Sequence, residues 1–344
     1  MIRMMRRALM LIFGVALWLS SATAVAGDVS IALDTAPAIR AVAALLKTPD
    51  AMLDLADAKL LIDQRIDPTI DVLGTHGQLK DLAKRVEARF PAGANDAVKM
   101  ELLLNSLYQP GPWNDYRPFS YDLDDPFGRV ITNKLLPTYL RTRKGNCVSM
   151  PILIVVIGQK LGLEITLATA PEHVLAKFHN PVDGQWVNVE ATSGGFKLNS
   201  SYRRESGITE LAMKNEIYLR PLSRRESAAV MTATLMEFYG QSGQQEARIA
   251  LADLALQINP KDVTAMLQKG NAYFRLMGQG DAASGVSVGS NQHRLRPDSD
   301  ALRRSNLFWF EKAEALGWRM PSRPDNEAYR RTIQSVRTAQ KVGE

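Results

Sequence analysis

The sequence predicts an α+β fold: a helical lead-in, a mixed block of one central helix with an antiparallel sheet, and a closing run of helices. Three observations predict it. Apolar residues recur at helical spacing through residues 28–110 and again from Arg224 onward. Met150–Leu161 is apolar on nearly every side. The strand patterns Leu163–Ala170, Val174–Phe178 and Gln185–Glu190 then follow within 30 residues.

Met1–Ala26 reads as a secretory signal peptide, with Arg3, Arg6 and Arg7 before the apolar stretch Ala8–Leu19 and the small residues Ala24-Val25-Ala26 before Gly27. The apolar stretch is short for a membrane span, which needs roughly 20 residues. Export is therefore expected, most simply to a periplasm, with no stable membrane span once the leader is cleaved. Loss of the three arginines lowers the formal charge from +6 to +3. That near balance argues against a nucleic-acid partner.

In the lead-in, Ala51–Ile62, Leu79–Phe90 and Asp96–Tyr108 carry helical periodicity, and Pro91-Ala92-Gly93 breaks the second of these. Pro110–Arg129, rich in Pro, Asp and aromatics, reads as loop, and Asn133–Arg141 as a short helix despite Pro137. Met150–Leu161 is expected to be a helix covered all round, stopped by Gly162. Pro181-Val182-Asp183-Gly184 supplies the turn between the second and third strands.

From Arg224 the pattern is helical with an internal repeat. Tyr239 and Tyr273 stand 34 residues apart, with Ala255, Pro260 and Gly270 at the small and proline positions of a tetratricopeptide repeat. A Gly/Ser-rich stretch, Gly278–Ser290, interrupts the second repeat, and its closing helix is expected over Ala301–Leu316. Two helix pairs are too few to stand alone, so they are expected to pack on the α+β block. The expected organisation is a leader over 1–26, lead-in plus core over 27–222, and repeat-like helices over 223–344.

Cys147 is the only cysteine, so no internal disulfide can form; the residue is either a small buried hydrophobe or a working thiol. It opens the central helix, where the dipole and a neighbouring imidazolium both favour thiolate. Pro151 falls in the first turn, so the helix start could be tight or irregular. If the second and third strands pair about Val182-Asp183, His173 faces Thr192 and has Glu190 as its diagonal neighbour on one face. Cys147, His173 and Glu190 then have the chain order and setting of a papain-like or transglutaminase-like thiol site: nucleophile, general base, orienting carboxylate. Asn188 shares that face and is an alternative orienting residue. His179, beside the turn, has a weaker claim.

No spacing supports zinc, Asp122, Asp124 and Asp125 lack the ligand spacing of a calcium loop, and there is no glycine-rich phosphate loop; no cofactor is expected.

The segments Arg143–Ser149, Ala170-Pro171-Glu172-His173 and Trp186–Thr192 resemble the transglutaminase-like core, the last being similar to its W-x-x-hydrophobic-Asp-x-Thr ending with Glu190 at the Asp position. The mature chain more closely resembles the bacterial SirB-type proteins over roughly residues 45–275. The resemblance implies a papain/transglutaminase-like core with a Cys-His-acid triad followed by tetratricopeptide repeats. It departs from the family pattern at Glu190 and at Leu175, where a Trp is often found. Many members lack the cysteine and the group has no agreed reaction. Two functions follow as expectations. One is a thiol-dependent amide hydrolase or acyl transferase. The other is an inactive core whose repeats bind a peptide or protein partner.

Overall fold

Four helices lead into the core of this computed structural model, which describes residues 34–192, 194–283 and 299–320. They are α1 (Ala36–Lys47), α2 (Leu55–Ile66), α3 (Val72–Glu87) and α4 (Asp96–Tyr108). Side-chain caps set where they start. Asp54 accepts from the amides of Ala56 and Asp57, Asp71 from Gly74, and Asn95 from Val98. The Asp54 cap moves the start of α2 later than the expected Ala51, and Asp50–Met52 is a separate 3₁₀ turn. Helix α3 begins seven residues before the expected Leu79 because Gly74, Thr75, His76 and Gly77 hide its apolar stripe.

The loop-like stretch contains one strand that local pattern does not signal. Ser120–Tyr121 (β1) runs parallel to Lys144–Gly145 (β2), with Ser120 N–H donating to Arg143 O (2.8 Å) and Asp122 N–H to Gly145 O (2.7 Å). Between them lie a 3₁₀ turn, Ile131–Lys134, and α5 (Leu136–Thr142), which tolerates Pro137 because a first-turn residue needs no N–H.

The central helix α6 (Ser149–Lys160) is buried at every position from Ser149 to Gly158. It packs on a four-stranded antiparallel sheet in the order β3 (Ile165–Ala170), β4 (His173–Asn180), β5 (Gln185–Glu190), β6 (Gly195–Lys197). The β4–β5 register places Ala176 opposite Val189 and Asn180 opposite Gln185, the pairing expected from the Pro181–Gly184 turn. The short β6, with glycine at its first position, carries no readable alternation.

Beyond the sheet come α7 (Asn199–Glu205), α8 (Glu210–Lys214), α9 (Arg224–Met231), α10 (Ala233–Gln241), α11 (Gln245–Ile258), α12 (Val263–Ala283) and α13 (Ser299–Ala315). The segment before α9 covers the outer edge of β3: Leu219 and Leu222 N–H donate to Thr169 and Leu167 O at 2.9 and 3.0 Å. Helix α9 is tied to the lead-in, where Arg225 donates from its amide to Asp50 (2.8 Å) and from its guanidinium to Leu46 O (3.0 Å). One buried apolar cluster runs from Ala38 through α6 and the sheet to Ala265. Tyr239 is buried, whereas Tyr273 is only partly so. Helix α12 continues through Gly278 to Ala283, and the rest of the expected Gly/Ser interruption, like the leader over Met1–Ala26, lies outside the described residues.

A charged pair is buried in the lead-in. Lys59 Nζ and Asp63 Oδ1 on α2 lie 2.5 Å apart with neither side chain exposed, and Asp63 Oδ2 accepts from Leu136 N–H (2.8 Å), capping α5. Burial holds the Asp63 carboxyl above its usual range despite Lys59 and the Leu136 amide. Among the described residues no helix is long and apolar enough to cross a membrane.

Candidate active site

The site begins at the entry to α6. Asn146 caps it: its side-chain oxygen accepts from the amides of Val148 (3.0 Å) and Ser149 (3.1 Å), and Ser149 Oγ accepts from Asn146 N–H (3.1 Å). Met150 N–H donates to Asn146 O (3.1 Å), so Cys147 stands in the first hydrogen-bonded turn. Pro151 costs little there, because the one bond it forgoes would have ended on Cys147 O. Gly145 is needed two residues earlier: a Cβ would lie 2.5 Å from the Tyr139 ring and 2.7 Å from Met150 Cγ.

The sheet supplies the other two residues. His173 is the first residue of β4 and Glu190 the last of β5, on the diagonal that the register dictates. His173 Nε2 lies 3.2 Å from Glu190 Oε2, and the partly buried Cys147 thiol is close enough to the imidazole to act on its charge. With Nε2 engaged by the carboxylate, Nδ1 is the nitrogen left for sulfur. The structure thus brings together all three residues predicted from sequence.

Glu190 is gripped from several sides. Tyr202 Oη donates to Oε2 (2.5 Å), and Thr192 donates to Oε1 from its hydroxyl (2.7 Å) and its amide (3.1 Å). Burial alone would raise its pKa, but His173 and then the Tyr202 and Thr192 hydrogen bonds outweigh burial and hold the carboxyl well below its usual range. At His173 burial pushes the other way, and the Glu190 charge together with the Cys147 contact raises the imidazole to about 10. A protonated imidazole between a carboxylate and a sulfur is thereby favoured at neutral pH.

Asn188 serves elsewhere. Its Nδ2 donates to Lys197 O (2.9 Å) and Asn199 Oδ1 (2.7 Å), fastening β6 and the start of α7, the helix that carries Tyr202. His179 pairs with Glu164 (2.9 Å) at the far end of β4. Sequence reasoning missed Tyr202, which no spacing marks. The grip of Thr192 on Glu190 was missed as well, although a carboxylate followed two residues later by Thr readily accepts both its amide and hydroxyl. Among the described residues no cluster of three or more His, Cys, Asp and Glu is arranged to hold a metal ion.

Residues 75–233 match the family model of the transglutaminase-like superfamily. This transglutaminase-like domain runs from within α3 to the start of α10 and contains Cys147, His173, Glu190, Thr192 and Tyr202. No curated protein and no solved structure gives a significant match to the chain.

Proposed function

We propose that this protein is an exported thiol enzyme acting on an amide, either hydrolysing it or passing its acyl group to an amine. The observation that carries the reading is the grouping of Cys147, His173 and Glu190, with the imidazole between thiol and carboxylate, inside a transglutaminase-like domain. In this reading the Cys147 proton already rests on His173, and the sulfur attacks the amide carbonyl. The C–N bond then breaks as His173 returns the proton to the leaving amine. Water or a second amine next attacks the thioester and restores the thiol. Glu190 fixes the imidazole tautomer and offsets its charge. The Cys147 amide donates no hydrogen bond within the described residues and sits in the turn that leads into α6, which suits it to the developing oxyanion.

Export rests on the leader pattern of Met1–Ala26 and points to periplasmic proteins or peptides as substrates. The broader reading is a SirB-type protein with C-terminal tetratricopeptide-type helix pairs. The mutual packing of α10 with α11 and of α12 with α13 supports it. The same packing supports the rival reading, an inactive core whose repeats capture a peptide or protein. Incubation with peptide amides and hydroxylamine separates the two. The enzyme reading expects a peptidyl hydroxamate from the parent and none from Cys147→Ala. No hydroxamate from a broad set of peptide amides would favour the rival.

A further inference from the structure

Away from the thiol, a cavity opens where α3, the loop before β1 and α5 meet. Its volume is about 230 Å³, and it is lined by Asp81, Leu82 and Arg85 of α3, by Trp113 and Phe119, and by Leu140 and Arg143 at the end of α5. None of Cys147, His173 or Glu190 borders it.

Its charges are incompletely matched. Arg85 is paired with Asp115 at 2.9 Å, also on the cavity wall. Arg143 has no ion pair among the described residues. Its Cζ sits 4.2 Å over the Phe119 ring, and its Nη1 is buried without a hydrogen-bond partner. Burial and then the neighbouring Arg117 and Arg85 charges oppose the Arg143 charge, and Asp115 offsets this only in part. Asp81 faces the same cavity with no ion-pair partner among the described residues. One free cation and one free anion therefore share a cavity without reaching each other.

The carboxylates of Asp81 and Asp115 would repel a bare phosphate, and Arg143 would repel a bare amine. A ligand carrying both signs satisfies both walls, and the largely buried Leu82 and Leu140 form the apolar floor between them. We propose that this cavity binds a free amino acid or similarly small zwitterion, with its carboxylate on Arg143, its ammonium on Asp81 and an apolar side chain against Leu82 and Leu140.

Isothermal titration of the full chain with leucine, 4-methylpentanoate and isopentylamine tests this, with Trp113 fluorescence as a second readout. Leucine is expected to bind, and loss of either charge to weaken binding by about tenfold or more. Asp81→Asn, an exposed change on α3, should erase the preference for leucine over 4-methylpentanoate without altering the melting temperature. Cys147→Ser should bind as the parent does. The proposal is overturned if neither leucine nor another apolar amino acid binds, or if 4-methylpentanoate binds equally well. Unchanged discrimination in Asp81→Asn, or loss of binding in a folded Cys147→Ser, also overturns it.

Discussion

Tyr202 Oη and His173 Nε2 share one oxygen of Glu190, at 2.5 and 3.2 Å. The phenol comes from α7, outside the sheet that carries the other two, so it pins the carboxylate from a second direction. It donates to a charged acceptor that is almost fully buried, where such a bond contributes more than a neutral one.

Tyr202→Phe removes that donor and keeps the ring. The expected cost is about 1.5–3 kcal/mol of stability, read by urea denaturation at neutral pH. A change below about 0.5 kcal/mol would mean that the phenol is dispensable to Glu190.

Glu190→Gln should let the His173 imidazole fall from about 10 toward its ordinary 6.5, because the largest effect raising it is the Glu190 charge. Proton NMR of the imidazole follows this directly. Any amide-cleaving activity should drop while the fold survives, since volume is kept. Full activity in Glu190→Gln together with its loss in Asn188→Ala would show that the orienting residue is Asn188.

The same pair predicts how stability depends on pH. His173 is raised in the folded state, so its contribution is complete below about 6.5 and is lost as pH climbs to about 10. Glu190 is depressed, so its contribution is present above its ordinary 4.5 and is lost as pH falls through its lowered folded value. Stability from this pair should therefore peak between about 4.5 and 6.5. Denaturation curves across pH should show a decline from 6.5 to 10 in the parent and a flatter line in Glu190→Gln. An equally steep alkaline decline in both would remove the pair as its cause.

Lys59 and Asp63 make a separate prediction. Lys59→Met strands a buried carboxylate and should cost about 3–5 kcal/mol at neutral pH. The cost should shrink in mild acid, where the carboxyl takes up a proton. A pH-independent cost would mean that lost packing, and not charge, dominates.

Much of this architecture was legible because the informative features are local. The Pro181–Gly184 turn sets the hairpin register, and the register puts His173 diagonal to Glu190. The all-apolar stretch after Cys147 marks a buried helix. What escaped depends on distant partners. The β1–β2 pair joins segments over 20 residues apart, and Gly145 is required only because Tyr139 and Met150 close on it. Tyr202 has meaning only once α7 folds back on the sheet. The hydrogen bonds of Arg225 to Asp50 and Leu46, which fasten α9 to the lead-in, are equally invisible in sequence.

That fastening bears on the repeat-like helices. A chain ending at Leu222 loses α9 to α13, and Ala229, Leu235 and Leu251 of these helices belong to the core cluster. It is expected to lose cooperative unfolding and expose apolar surface. If it instead stays folded, labels normally at Cys147 and loses only partner capture, the C-terminal helices serve recognition.

The central claim is that His173 activates Cys147, and alkylation by iodoacetamide as a function of pH tests it most directly. An isolated thiol, titrating near about 8.5, is almost inert in mildly acidic solution. The account predicts that the parent reacts there and that His173→Ala loses this acid-side reactivity while remaining folded. Identical profiles in the two proteins, both rising only in alkaline solution, would contradict it.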